Sequence, residues 1–223
     1  MPTSRHERTL RRRGFRAIAG VDEAGRGALF GPVFAAAVVL DPARPIRGLD
    51  DSKLLAPPRR QILAERICQR AHAWAVAASD AFEIDRWNIL EASRQAMRRA
   101  VEGLPLPCDC LLIDFLRIDS PLPQTPLVHG DARSFSIAAA SILAKVARDA
   151  ALNSWDLIFP EYGLAHNKGY ATPDHRHALE RLGPTALHRF SFQPVRESCR
   201  QRGPFAAWPG YSFPIQGELF ACP

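Results

Sequence analysis

No stretch of the 223 residues approaches the ~20 consecutive apolar side chains that a bilayer-spanning helix needs, so no membrane partner is expected. The arginines of the first 13 residues are not followed by an apolar segment; a secretory leader is therefore not expected, and a cytoplasmic location is. Cysteine is sparse and unpatterned. Cys68, Cys108, Cys110, Cys199 and Cys222 are an odd number, with one C-x-C and no matching second pair, which suits buried thiols in a reducing compartment better than a zinc knuckle or a disulfide framework. There is no internal repeat, and no serine or cysteine stands in a constellation for nucleophilic catalysis. What remains is an ordinary globular composition, 47% hydrophobic and 23% charged, long enough to bury one good core. The net charge of +6 points to a polyanionic partner.

Apolar runs at 15–22 and 31–40 read as two strands buried on both faces. Pro57-Pro58 opens a helix to about Ala71, and Trp74–Ala78 is a third strand. A helix is expected over 85–102 from the spacing of Ile89, Leu90, Met97 and Val101. Leu111–Ile113 is a fourth strand ending at Asp114, and Pro121, Pro123 and Pro126 place a loop before a brief fifth strand, Leu127–His129. Residues 134–154 form the clearest helix, and Thr172-Pro173 starts another that Gly183-Pro184 ends. This order is that of the α/β class, a mixed central sheet flanked by helices. Residues 1–13 read as a basic flexible arm, 14–198 as one domain including the C-terminal helices, and 199–223 as a Pro- and aromatic-rich tail.

Within that order the acids fall in a pattern. Asp22 and Glu23 end the first strand, Asp114 the fourth, and Asp131 follows the fifth. Adjacent carboxylates at a buried strand end repel unless a cation or proton sits between them. Strands of suitable direction would bring Asp22, Asp114 and Asp131 to one sheet edge with Glu23, and four hard oxygen ligands suit Mg2+ or Mn2+ with substrate phosphate. Gly25-Arg26-Gly27 follows at once, offering exposed backbone N–H groups and a forked donor to an anionic ligand. An acidic strand end with a loose turn is the plain alternative. Tyr170 sits in a Lys-Gly-Tyr turn where its ring can press on a sugar or pack conventionally. Lys53, Lys145 and Lys168 are phosphate contacts or surface charges, and His166, His175, His177 and His188 read as mainly structural, with His166 and His188 the two that could lie near phosphate.

Taken in order, Asp22-Glu-Ala-Gly-Arg-Gly27, Gly31-Pro32, Asp51-Ser-Lys53, Asp114, Gly130-Asp131, Ser141-Ile-Leu-Ala-Lys145, Asn167-Lys-Gly-Tyr-Ala-Thr172 and His188-Arg-Phe-Ser-Phe192 resemble type 2 ribonuclease H, most closely bacterial ribonuclease HII, over about 15–198. The resemblance implies a ribonuclease-H-like fold and an endonuclease that cuts the RNA strand of RNA/DNA hybrids and 5′ of single ribonucleotides embedded in duplex DNA. It further implies a two-metal-ion reaction with Mn2+ or Mg2+ that leaves 3′-hydroxyl and 5′-phosphate ends. It assigns metal binding and catalysis to Asp22, Glu23, Asp114 and Asp131, ribose recognition to Gly25, Arg26 and Gly27, and sugar stacking to Tyr170; Lys53 joins these as a substrate contact. A monomer is the simple expectation.

Two positions depart from the family pattern, with Phe115 where glycine is usual and His129 where lysine is common. A type 3 ribonuclease H is the nearest rival, but typically carries a separate N-terminal substrate-binding domain for which 13 residues leave no room. A hybrid-binding protein that does not cut would be expected to lack one of the four acids.

Overall fold

The computed structural model describes residues 2–202, and its centre is a five-stranded sheet in the order β3-β2-β1-β4-β5. The strands are β1 (Ile18–Ala24), β2 (Val33–Val39), β3 (Ala73–Ser79), β4 (Cys110–Asp114) and β5 (Gln124–Leu127). β1 runs antiparallel to β2 and parallel to β4, and β4 runs parallel to β5. The apolar runs of β1, β2 and β4 are covered on both faces, as their near-continuous hydrophobicity anticipates. Gly20 shows how tightly: a Cβ there would lie 2.1 Å from the Ser136 backbone, so the long helix α5 (Phe135–Asp156) can settle on β1 only over a glycine.

Parallel pairing decides where the strand ends fall. The β1–β4 register runs from Ile18 opposite Cys110 to Val21 opposite Ile113, so Asp22 and Asp114 are the next residues on adjacent strands pointing the same way. β5 finishes at Leu127, opposite Asp114, and a 3-10 turn at Gly130–Ala132 then carries Asp131. Three strand exits thus share one sheet edge, the edge at which parallel strands place ligands.

The remaining helices are α1 (Arg5–Arg12), α2 (Pro57–Arg70), α3 (Ala81–Trp87), α4 (Ile89–Glu102), α6 (Leu164–Asn167), α7 (Pro173–Leu182) and α8 (Gln193–Arg202). Prolines open α2 and α7, and Thr172 caps α7 by accepting from the His175 N–H. Residues 14–198, expected as one domain, divide between two compact units, the first comprising the described residues of 1–24, 34–78 and 93–146, the second those of 25–33, 79–92 and 147–202.

Three expectations are corrected. Residues 5–12 are not a flexible arm but helix α1, anchored by Leu10 in a core cluster with Ile18, Leu112 and Ile137, and by Glu7, whose buried carboxylate accepts from the Ser134 hydroxyl (2.7 Å) and the Ser136 N–H (2.9 Å). The helix expected over 85–102 is two helices broken at Asn88, whose φ of 75° leaves the helical region while Asp80 and Glu83 form a capping box on the first. The fifth strand lies earlier than Leu127–His129, because Pro126 is tolerated on an edge strand. The tail assigned to 199–223 lies outside the described residues from 203 onward.

Candidate active site

The sheet edge gathers the predicted acids as a field of negative charge. Asp22 is 4% exposed, and its Oδ1 accepts from the Glu23 N–H at 2.7 Å. Burial, then the charges of Glu23 and Asp114, holds its carboxyl well above the usual aspartate range, against a hydrogen bond from Ser141 that pulls the other way. Asp114 is raised too, first by burial and also by Asp131, while its Oδ1 accepts a 2.6 Å bond from the Gly130 N–H. Asp131 Oδ1 accepts from the Ala132 N–H at 2.9 Å, and its Oδ2 lies 3.7 Å from Lys53 Nζ. Burial would lower Lys53, but Asp131, Asp51, Asp22 and Asp114 together raise it.

This donor set fits a hard divalent cation. Asp22, Glu23, Asp114 and Asp131 are oxygen ligands whose mutual repulsion is relieved in part by a lysine whose side chain is 78% exposed. Among the described residues, no three His, Cys, Asp or Glu side chains stand close enough to form a ready cage for an ion. The acids therefore share an electrostatic neighbourhood rather than a preformed coordination shell.

Two supports of Asp22 were not singled out from the sequence. Ser141, on the small-residue face of α5, bonds Asp22, and its hydroxyl lies 2.9 Å from that of buried Ser52. Ser52 is held through its carbonyl by Arg60 Nη1 at 2.8 Å, which fixes the loop that presents Lys53. A serine inside an Ala-rich helix stretch was the available signal. Phe115 has a left-handed backbone (φ 56°), the conformation for which glycine is the usual choice; His129 is left-handed too (φ 54°), and nothing in the structure explains its departure from lysine.

In the second unit, Gly25-Arg26-Gly27 forms the predicted turn. Gly25 has φ 98°, and a Cβ there would fall 2.0 Å from Arg148 Nε. Gly27 is exposed and close to the Tyr170 ring, since a Cβ on it would lie 3.9 Å from Tyr170 Cε1. Tyr170 is 38% exposed, with the Arg148 guanidinium 5.3 Å from its ring centroid. Beneath the turn lie two fully buried arginines that sequence reading passed over. Arg148 Nη2 donates to the Lys168 carbonyl at 2.9 Å; Arg189 donates to the carbonyls of Gly31 (2.9 Å) and Arg26 (2.8 Å). Arg189 is pushed down to about 9, by burial first and by Arg148 next. Their carbonyl bonds draw the turn's C=O groups inward. The predicted contacts Lys145 and Lys168 differ in setting: Lys145 is half-buried on α5, and Lys168 Nζ donates to Asn153 Oδ1 at 2.6 Å. His188 is fully buried, which removes it from contact with phosphate.

The family model described as Ribonuclease HII matches residues 19–195. The chain is 60% identical over 194 residues to "Ribonuclease HII" of Solibacter usitatus, covering 87% of this chain and 85% of that one. Among solved structures it resembles the crystal structure of ribonuclease H2 from Pyrococcus horikoshii OT3, with a TM-score of 0.73 and 24% identity over 83% of this chain and 98% of that one. It also resembles Bst-RNase HIII in complex with Mn2+, with a TM-score of 0.66 and 20% identity over 84% and 70% of the two chains.

Proposed function

Because the chain belongs to the ribonuclease HII family, and so is a metal-dependent type 2 ribonuclease H endonuclease, we propose that it cuts 5′ of ribonucleotides embedded in duplex DNA as well as the RNA strand of RNA/DNA hybrids, leaving 3′-hydroxyl and 5′-phosphate ends. The observation that carries this reading is the register that sets Asp22 and Asp114 side by side on parallel strands, each with a carboxyl raised by burial and by neighbouring acids. Asp22, Glu23, Asp114 and Asp131 would hold the ions. Two Mn2+ or Mg2+ ions bound there supply an activated water and neutralise the charge that develops on the departing oxygen.

The chain's own residues do the rest. The Gly130 N–H fixes one oxygen of Asp114 and the Ala132 N–H one oxygen of Asp131. The Glu23 N–H fixes Asp22 Oδ1, and Ser141 bonds the same carboxyl. Lys53, drawn toward Asp131, offers an ammonium to a backbone phosphate. Gly25, Arg26 and Gly27 read the ribose: the 2′-hydroxyl alone separates RNA from DNA at one nucleotide, and only a backbone without Cβ groups comes close enough to test it. Tyr170, half-open beside Gly27, stacks on the adjoining sugar. No helix among the described residues is long and apolar enough to cross a membrane; cytoplasmic residence and a monomeric state belong to the same proposal.

The test is cleavage of an end-labelled duplex holding one ribonucleotide, with and without divalent ion, the cut mapped at nucleotide resolution. A metal-dependent cut on the 5′ side of the ribonucleotide is expected. Cleavage restricted to long RNA tracts, or a cut on the 3′ side, would overturn the reading.

A further inference from the structure

Two imidazoles in the second unit are fully buried and take no part in the reaction described above. His188 Nε2 lies 3.1 Å from His175 Nε2. The hydrogens of this pair are fixed by its neighbours. The Thr185 backbone N–H, which can only donate, points at His188 Nδ1 from 2.9 Å, so that nitrogen carries no proton. The proton of a neutral His188 is therefore on Nε2 and is given to His175 Nε2, which must accept. The His175 proton is then on Nδ1, 2.9 Å from the carbonyl oxygen of Tyr170, an obligate acceptor.

With both rings neutral and in these tautomers every donor in the series meets an acceptor, including the Thr185 hydroxyl, which lies 3.0 Å from His188 Nδ1 and donates to it beside the Thr185 N–H. A second proton on His188 would face the Thr185 N–H, and one on His175 would set two Nε2–H groups against each other. Burial lowers both imidazoles, in agreement with the neutral arrangement. Aromatic rings wall the pair: Phe30 meets His188 edge-on at 4.9 Å, and Tyr162 lies 5.1 Å from His188 and 6.1 Å from His175.

We propose that His175 and His188 are positioning residues that hold the Tyr170 main chain, and through it the ring that meets the sugar. The series ends on the Tyr170 carbonyl, which also accepts from the Thr172 N–H at 2.8 Å. With its carbonyl tied to the buried pair and one face of its ring near Arg148, Tyr170 keeps its position while its free surface stays open. The same pair connects Thr185 to Phe30, which follows the Gly25 turn, through the bridge between Phe30 and His188. This rests on the reading of Tyr170 as the sugar-stacking residue.

Three measurements test it. Imidazole 15N shifts of the wild-type protein, which need no variant, should place the protons on His175 Nδ1 and His188 Nε2; a proton on His175 Nε2 would overturn the proposal. Amide exchange across 168–172 should quicken about tenfold in His175→Leu, the order expected when one buried hydrogen bond is lost, and return toward the wild-type rate in His175→Asn, whose amide can still donate to the carbonyl. Exchange unchanged in His175→Leu would count against a positioning role. On a duplex with one ribonucleotide, His175→Leu should raise KM about tenfold with kcat within about twofold, and add nothing when combined with Tyr170→Ala. Fully additive effects would sink the idea. If Tyr170→Ala alone leaves KM unchanged while exchange still quickens in His175→Leu, the stacking reading fails and the positioning of the turn stands.

Discussion

At the edge shared by β1, β4 and β5 the chain gathers carboxylates around one exposed lysine, whereas the turn that follows Gly25 stands on two buried guanidiniums. The first region holds acids whose mutual repulsion Lys53 relieves only in part and a divalent cation would relieve further. The second holds positive charge whose hydrogen bonds go to loop carbonyls and which leaves Arg148 Nε and Nη1 and Arg189 Nη2 buried without a hydrogen-bond partner among the described residues. On the proposed function, charge in one serves chemistry; in the other it holds a neutral backbone surface in shape. The contrast predicts two classes of variant: those that abolish turnover without harming the fold, and those that blur recognition.

The sharpest way to break the contrast is Asp22→Asn. Turnover should fall by about three orders of magnitude or more. The metal-free protein should at the same time gain about 1 kcal/mol, because a buried acid raised by Glu23 and Asp114 costs stability once it ionises. The sign follows from the raised folded-state value: stability is complete below the ordinary carboxylate range and is lost as pH climbs through the raised one. A thermal melt at neutral pH reads the gain, and a variant that melts lower than wild type would contradict it.

Next in size is Gly25→Ala, which combines φ 98° with a Cβ 2.0 Å from Arg148 Nε. A loss of roughly 2 kcal/mol in denaturant unfolding is expected. It should be accompanied by a lower ratio of cleavage rates for ribonucleotide-containing over hybrid duplex. Retained stability would mean that Arg148 is free to move aside.

Acid sensitivity is expected of the second region. His175 and His188 are lowered below the ordinary imidazole value of 6.5 by burial. Their contribution is therefore complete above that pH and is lost as pH falls from it through the lowered folded values. Melting temperature should drop between about pH 7 and pH 5, and drop less steeply in His175→Asn. Parallel slopes in the two proteins would remove the pair as the cause.

The smallest effect expected is a gain. Phe115 is exposed with φ 56°, so Phe115→Gly relieves a left-handed backbone and should stabilise the protein by about 1 kcal/mol, read as a higher denaturation midpoint.

The same contrast explains what the sequence disclosed. Asp22, Asp114 and Asp131 were legible because each ends or follows an apolar run, and a strand end is a local property. Gly25-Arg26-Gly27 was legible as a glycine pattern. His175 and His188 were legible as mainly structural, but their pairing, like the roles of Arg148 and Arg189, was not, because a buried polar side chain is defined by partners distant in the chain; His188 meets Phe30, and Arg189 meets Gly31 and Arg26. Helix α1 escaped for a similar reason. Its place depends on one apolar residue, Leu10, and on Glu7 reaching Ser134 and Ser136, and neither leaves a periodic signal. The break at Asn88 was hidden because α3 and α4 follow each other without an intervening proline or glycine.

The account depends most on the four acids acting together on the bound divalent ions. Mn2+ titration by calorimetry, on wild type and on Asp22→Asn, Asp114→Asn and Asp131→Asn in turn, reads this directly. Each single change is expected to weaken binding by about tenfold or more. Wild-type affinity in Asp131→Asn, the acid that reaches the edge from the turn after β5, would contradict it.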